Sequence, residues 1–129
     1  MNIKEYYVSF EVAKLLKEKG FHEPCIATYN LTTKDFAVEE IYQDWTTCWK
    51  TYVSAPTLQM VCKWLREEKN LCIYVFPHKD GYEYGKWEAG ICYCDDAIDA
   101  TINACGHIFG ETYDEAVEAA LKYCLENLI

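Results

Sequence analysis

Four soft donors stand close together late in the chain, Cys92-x-Cys94 followed by Cys105-x-His107, and thiolate and imidazole are the groups that hold zinc in a tetrahedron. Structural zinc sites space paired ligands by about two to four residues, whereas one intervening residue puts Cys92 and Cys94 on a single strand face. Four protein ligands would close such a site and make it structural. Neither Glu88 nor Glu111 has the helical spacing of a His-Glu-x-x-His base, so hydrolytic zinc chemistry is not expected. Serine chemistry has only Ser9 and Ser54 to draw on; both suit helix starts, and neither lies in G-x-S-x-G. Gly85 and Gly90 have phosphate-loop spacing, but Ile91-Cys92 stands where Lys-Ser/Thr would hold phosphate and magnesium. Asp95, Asp96 and Asp99 lack an EF-hand pattern and suit an acidic helix start. His22 and His78 have Glu23 and Asp80 nearby in sequence and read as surface histidines. No Cys-x-x-Cys redox pair is present, and no cofactor is expected.

These residues must be positioned by a small set of elements. Ser9 caps a helix over 10–19, with Val12, Leu15 and Leu16 inward; Gly20 supplies the left-handed stop, and Phe21 packs back on Leu16. Extended segments follow at Cys25 to Asn30 and Phe36 to Tyr42, while 43–54 shows no clear period. Ser54-Ala55-Pro56 reads as the next helix start, and Leu58, Val61, Cys62 and Leu65 form its buried stripe. Met60 and Trp64 lie off that stripe and need either a covering element, such as the Trp45 to Tyr52 segment, or a partner.

Leu71 to Pro77 is a strand and Lys79-Asp80-Gly81 a hairpin signal. A two-residue loop would mix the aliphatic row with charges. A three-residue loop instead aligns Leu71, Ile73 and Val75 with Trp87, Ala89 and Ile91. That leaves Cys72, Tyr74, Phe76 and His78 sharing the opposite face with Tyr82, Tyr84 and Lys86, an amphipathic aromatic surface. Residues 95–105 fit a strand alternation and also a helical stripe. Thr112 to Glu115 is a capping box for a last helix with Tyr113, Val117, Ala120, Leu121, Cys124 and Leu128 inward. The sum is an α+β fold, a small and mostly antiparallel sheet with three or four packed helices in one globular domain over 1–129.

Leu15 to Phe21, Ala55 to Met60 with Lys63 to Glu67, Glu111 to Ala116 and the Leu128-Ile129 end resemble short uncharacterised proteins encoded by gut anaerobes and their phages. The likeness spans about half the chain and rests on structural segments; it implies an accessory or mobile-element context and no particular activity.

Composition narrows the function classes. A hydrophobic fraction of 51% with 16% aromatics builds a core. The net charge of -9 is concentrated in residues 71–129, where three Lys stand against eleven Asp and Glu, so direct nucleic-acid binding is not expected. No apolar run is long enough to cross a bilayer, and the first residues lack a signal-peptide pattern, so the expected location is cytoplasmic with the eight cysteines reduced. The expectation is an accessory protein without catalytic activity that works through a protein partner or self-association, using Met60, Trp64, Tyr74, Phe76, Tyr82 and Tyr84 as surface. The alternatives are an acidic decoy for the nucleic-acid site of a nuclease or repressor, and a small zinc protein.

Overall fold

The computed structural model describes residues 3–45, 50–77, 86–96 and 108–129. The chain is α+β and forms two compact units, residues 1–58 and 59–129, each with its own three-stranded antiparallel sheet rather than one shared small sheet. Three α-helices lie among the described residues, together with a 3-10 turn at Ile3–Tyr6 and a π-helical turn at Cys124–Leu128.

In the first unit, α1 (Phe10–Glu18) is closed at both ends by its own sequence. The Ser9 hydroxyl accepts from the Val12 amide at 3.3 Å. Gly20 adopts φ +85°, and the Gly20 and Phe21 amides donate back to the Lys17 and Leu16 carbonyls at 3.3 and 3.0 Å, the bond pair of a Schellman motif. Val12, Ala13, Leu16 and Phe21 are buried, with Leu15 only half-buried. β1 (Cys25–Asn30) is the central strand, flanked by β2 (Phe36–Gln43) and β3 (Tyr52–Ser54). Its Tyr29 hydroxyl donates to the Val8 carbonyl at 2.7 Å, and the Tyr29 ring meets Phe10 and Phe36 at 5.7 and 5.3 Å. Pairing with β2 runs from Tyr29/Phe36 to Ala27/Val38, then shifts so that Cys25 meets Gln43 and residues 39–42 bulge away. Ile41 and Tyr42 in the bulge are exposed, and so is the paired Val38.

The helix expected from Pro56 begins two residues later. The Pro56 carbonyl accepts from the Val8 amide at 3.0 Å and Thr57 bridges Tyr7, so this stretch is held extended, and Ser54 ends β3 instead of capping a helix. α2 (Leu58–Glu68) follows, and two residues past its end Asn70 takes the left-handed region at φ 59°. Among its side chains Val61 and Leu65 are fully buried, and Trp64 is nearly so.

In the second unit, β4 (Leu71–Pro77) pairs with β5 (Trp87–Tyr93), which pairs with β6 (Ile108–Gly110). Leu71, Ile73 and Val75 meet Tyr93, Ile91 and Ala89, so the aliphatic row and the Trp87 row share a face as the expected parity requires, but each partner lies four residues farther along β5 than a Lys79-Asp80-Gly81 loop would set, and that loop lies outside the described residues. α3 (Tyr113–Tyr123) covers that face. Its first turn is set by the Thr112 hydroxyl accepting from the Glu115 amide at 3.1 Å, while the Glu115 carboxylate accepts from Glu111 N–H at 3.0 Å. Gly110 lets this turn settle on β6, since a Cβ there would lie 2.3 Å from the Ala116 nitrogen. The helical face differs from the expected one at both ends, and Ala116 joins it fully buried. Tyr113 is 49% exposed, though its ring still meets Trp87 edge-on at 5.5 Å. Leu125 is buried and Leu128 half-buried, because the π turn adds a residue and advances the apolar stripe.

Candidate functional site

Tyr74 and Phe76 stand on the outer face of β4, opposite the helix-covered one, and are 42% and 41% exposed. Their rings stack with centroids 6.1 Å apart and planes 13° from parallel. Gly90 makes this possible. It lies directly across from Tyr74, and a Cβ at that position would fall 2.2 Å from the Tyr74 Cζ, so the phenol rests on bare backbone. In the same outward register Glu88 stands opposite both Phe76 and Phe109, and its side chain is only 6% exposed. Lys86, just before β5, pairs with the Glu111 carboxylate at 3.3 Å.

The other surface residues named from sequence fare differently. Trp64 is 7% exposed, with the Lys69 ammonium 5.4 Å from its ring centroid, so it is core and drops out of the contact surface. Its helical phase misplaced it because a bulky side chain reaches cover well beyond the nominal stripe. Met60 is half-buried, and Tyr82 and Tyr84 lie outside the described residues.

Of the four candidate metal donors, Cys92 lies on β5 opposite Cys72, and Cys94 follows the strand with its amide donating to the Asn70 carbonyl at 2.9 Å. Cys105 and His107 lie outside the described residues, and among those described no group of three or more His, Cys, Asp or Glu could hold a metal ion. Desolvation and then the neighbouring Cys72 raise the Cys94 pKa, against a lowering contribution from Arg66. Burial raises the Cys62 thiol as well, against a lowering contribution from Arg66. Cys25 and Cys124 are pushed up to about 12, chiefly by burial, and behave as small core residues.

In the first unit His22 Nδ1 lies 3.0 Å from the Asp44 carboxylate, a partner supplied by the end of β2 rather than by neighbouring Glu23. The Cys25 thiol donates to the Glu23 carbonyl, and the Trp45 indole donates to the Cys25 carbonyl at 2.8 Å. With Cys25 held in its neutral form, this group anchors the β2 end and lacks an activated nucleophile. His78 and Asp99 lie outside the described residues, while Asp95 and Asp96 are exposed in the turn after β5.

Sequence reasoning did not single out Gly90 as the seat of Tyr74. The signal was present, because a glycine inside a seven-residue strand marks close approach by another group. No family model, no curated protein and no solved structure matches this chain.

Proposed function

We propose that the chain is an accessory protein that acts through protein contact, and that the outer face of the β4–β5–β6 sheet is its contact surface. The observation that carries this reading is the stacked, exposed Tyr74/Phe76 pair seated on Gly90. Two large amphipathic rings held in one orientation lose little side-chain entropy on binding, which is why aromatics dominate interface energetics. The surrounding unit adds selectivity, since residues 59–129 carry six Lys and Arg against thirteen Asp and Glu. The accessory context implied by the sequence resemblance agrees with this role.

The test is a Tyr74→Ser, Phe76→Ser double variant compared with the parent by thermal melting and by affinity capture from lysate. Both side chains are substantially exposed, so melting should change little while any captured protein is lost. A variant that folds and retains every captured species would overturn the proposal.

A further inference from the structure

Six cysteines lie among the described residues, all as free thiols, and they differ in accessibility. Cys25 and Cys124 are buried, Cys62, Cys72 and Cys92 are half-buried, and Cys94 alone of these six is exposed. Three of them share a face. β4 pairs with β5 so that Leu71 meets Tyr93 and Cys72 meets Cys92, and the Cys94 amide, donating to the Asn70 carbonyl at 2.9 Å, carries the ladder one step further. Side chains two residues apart on a strand point the same way, so Cys92 and Cys94 stand on the side that Cys72 takes on β4. Cys72 therefore has Cys92 straight across and Cys94 on the diagonal.

The two neighbours are not equivalent. Asn70 and Cys94 form a hydrogen-bonded pair, and such pairs alternate along an antiparallel ladder, so Cys72 and Cys92 form one as well, with Cα atoms about 5.5 Å apart and side chains farther apart than at the intervening sites. A disulfide needs Cβ atoms about 3.5–4.5 Å apart, and two strands locked in register resist closing to that distance. Cys94 lies in the turn one residue past β5, outside that lock, and a diagonal spacing of about 7–8 Å between Cα atoms needs only about 1 Å of movement to come within disulfide reach. Cys72 is also the group that Cys94 feels most: after desolvation, it is the largest influence raising the Cys94 pKa.

We infer that Cys94 is a modification site for small-molecule disulfides and that Cys72 resolves the adduct, leaving a reversible Cys72–Cys94 disulfide. The Cys94 thiolate attacks one sulfur of the incoming disulfide; a bond forms from Cys94 Sγ to that sulfur, the old S–S bond breaks, and the departing thiolate takes up the proton that Cys94 released. The Cys72 thiolate then attacks Cys94 Sγ and expels the second small thiol, which takes the Cys72 proton. Two protein thiols are oxidised and one small disulfide is reduced to two thiols. Because only the thiolate attacks, the raised Cys94 pKa makes the first step slow near neutrality, so the pair registers sustained oxidation rather than turning over rapidly. The bond would tie the turn after β5 to β4 two residues from Tyr74, and the inference stands apart from the contact-surface reading.

The experiment exposes the folded, fully reduced chain to oxidised glutathione at about pH 8 and follows it by intact mass and peptide mapping. The parent should lose two hydrogens and yield a Cys72–Cys94 peptide, reversed by reduced dithiothreitol. Cys72→Ser should halt with one glutathione on Cys94, Cys94→Ser should lose both products, and Cys92→Ser should behave as the parent. A link from Cys94 to Cys92, Cys105 or any other cysteine, a Cys72–Cys92 link in its place, or a parent that takes up no glutathione and forms no link would each overturn the inference. So would a Cys72–Cys94 link that forms only in urea. If Cys72→Ser fails to fold, the parent and Cys92→Ser maps decide.

Discussion

Two glycines of the second sheet should respond oppositely to a single added methyl group. At Gly110 a Cβ would meet the Ala116 nitrogen at 2.3 Å, the Glu115 carbonyl carbon at 2.8 Å and the Ala116 Cα at 2.9 Å. All three are backbone atoms of the first turn of α3, so nothing local can rotate aside. Relief requires moving the turn, at an overpacking cost of about 1–3 kcal/mol, and weakening the Thr112 cap adds about 1 kcal/mol. Gly110→Ala should therefore lose about 2–4 kcal/mol. At Gly90 the nearest atoms, at 2.2–2.6 Å, belong to the far end of the Tyr74 ring, which can swing into solvent. The stack forfeits about 1 kcal/mol, and replacing a strand glycine returns a similar amount, so Gly90→Ala should be nearly neutral. Urea titration followed by far-UV circular dichroism reads both, and aromatic proton shifts should report the displaced Tyr74 ring in Gly90→Ala alone. Because the Gly110 clash is with a main-chain nitrogen, adding Ala116→Gly should not rescue it. Equal losses at the two glycines, or rescue by Ala116→Gly, would refute the steric argument.

Two further outcomes follow from buried groups. Among the described residues the buried Thr28 hydroxyl has no hydrogen-bond partner, so Thr28→Val should be neutral or stabilise by about 1 kcal/mol in the same titration; a loss of that size would mean the hydroxyl has a partner. Cys25 and Cys124 remain protonated in the folded chain up to about pH 12, whereas an unfolded thiol ionises at its ordinary 9.0. Their contribution is thus complete below pH 9 and is lost as pH rises from 9 toward 12, by at most about 1.4 kcal/mol per pH unit for each thiol. Cys124→Ala, though less stable at neutral pH, should show a shallower decline above pH 9 than the parent; identical slopes would contradict burial as the cause.

What was legible in the sequence was what local chemistry decides. Ser9, Gly20 and Phe21 close α1 by bonds spanning only a few residues, and the Thr112 cap is equally short-range. The facing of β4 and β5 was legible for a different reason, since parity alone divides aliphatic from aromatic rows. Failures came where a distant segment intervened. Pro56 has every local mark of a helix start, yet Val8 and Tyr7 hold that stretch extended. The inward face of α3 went astray at Leu125 because a π turn has no strong local signature. One expected sheet became two for a related reason: strand segments can be read locally, but their partners are set by contacts remote in sequence.

The candidate surface was half legible, and the missing half bears on its meaning. Alternation placed Tyr74 and Phe76 outward, but alternation says nothing about whether exposed rings are held or free. Gly90 supplies that. A glycine in mid-strand costs about 0.5–1 kcal/mol relative to alanine, yet here it lets a phenol lie flat on backbone and stack on its neighbour.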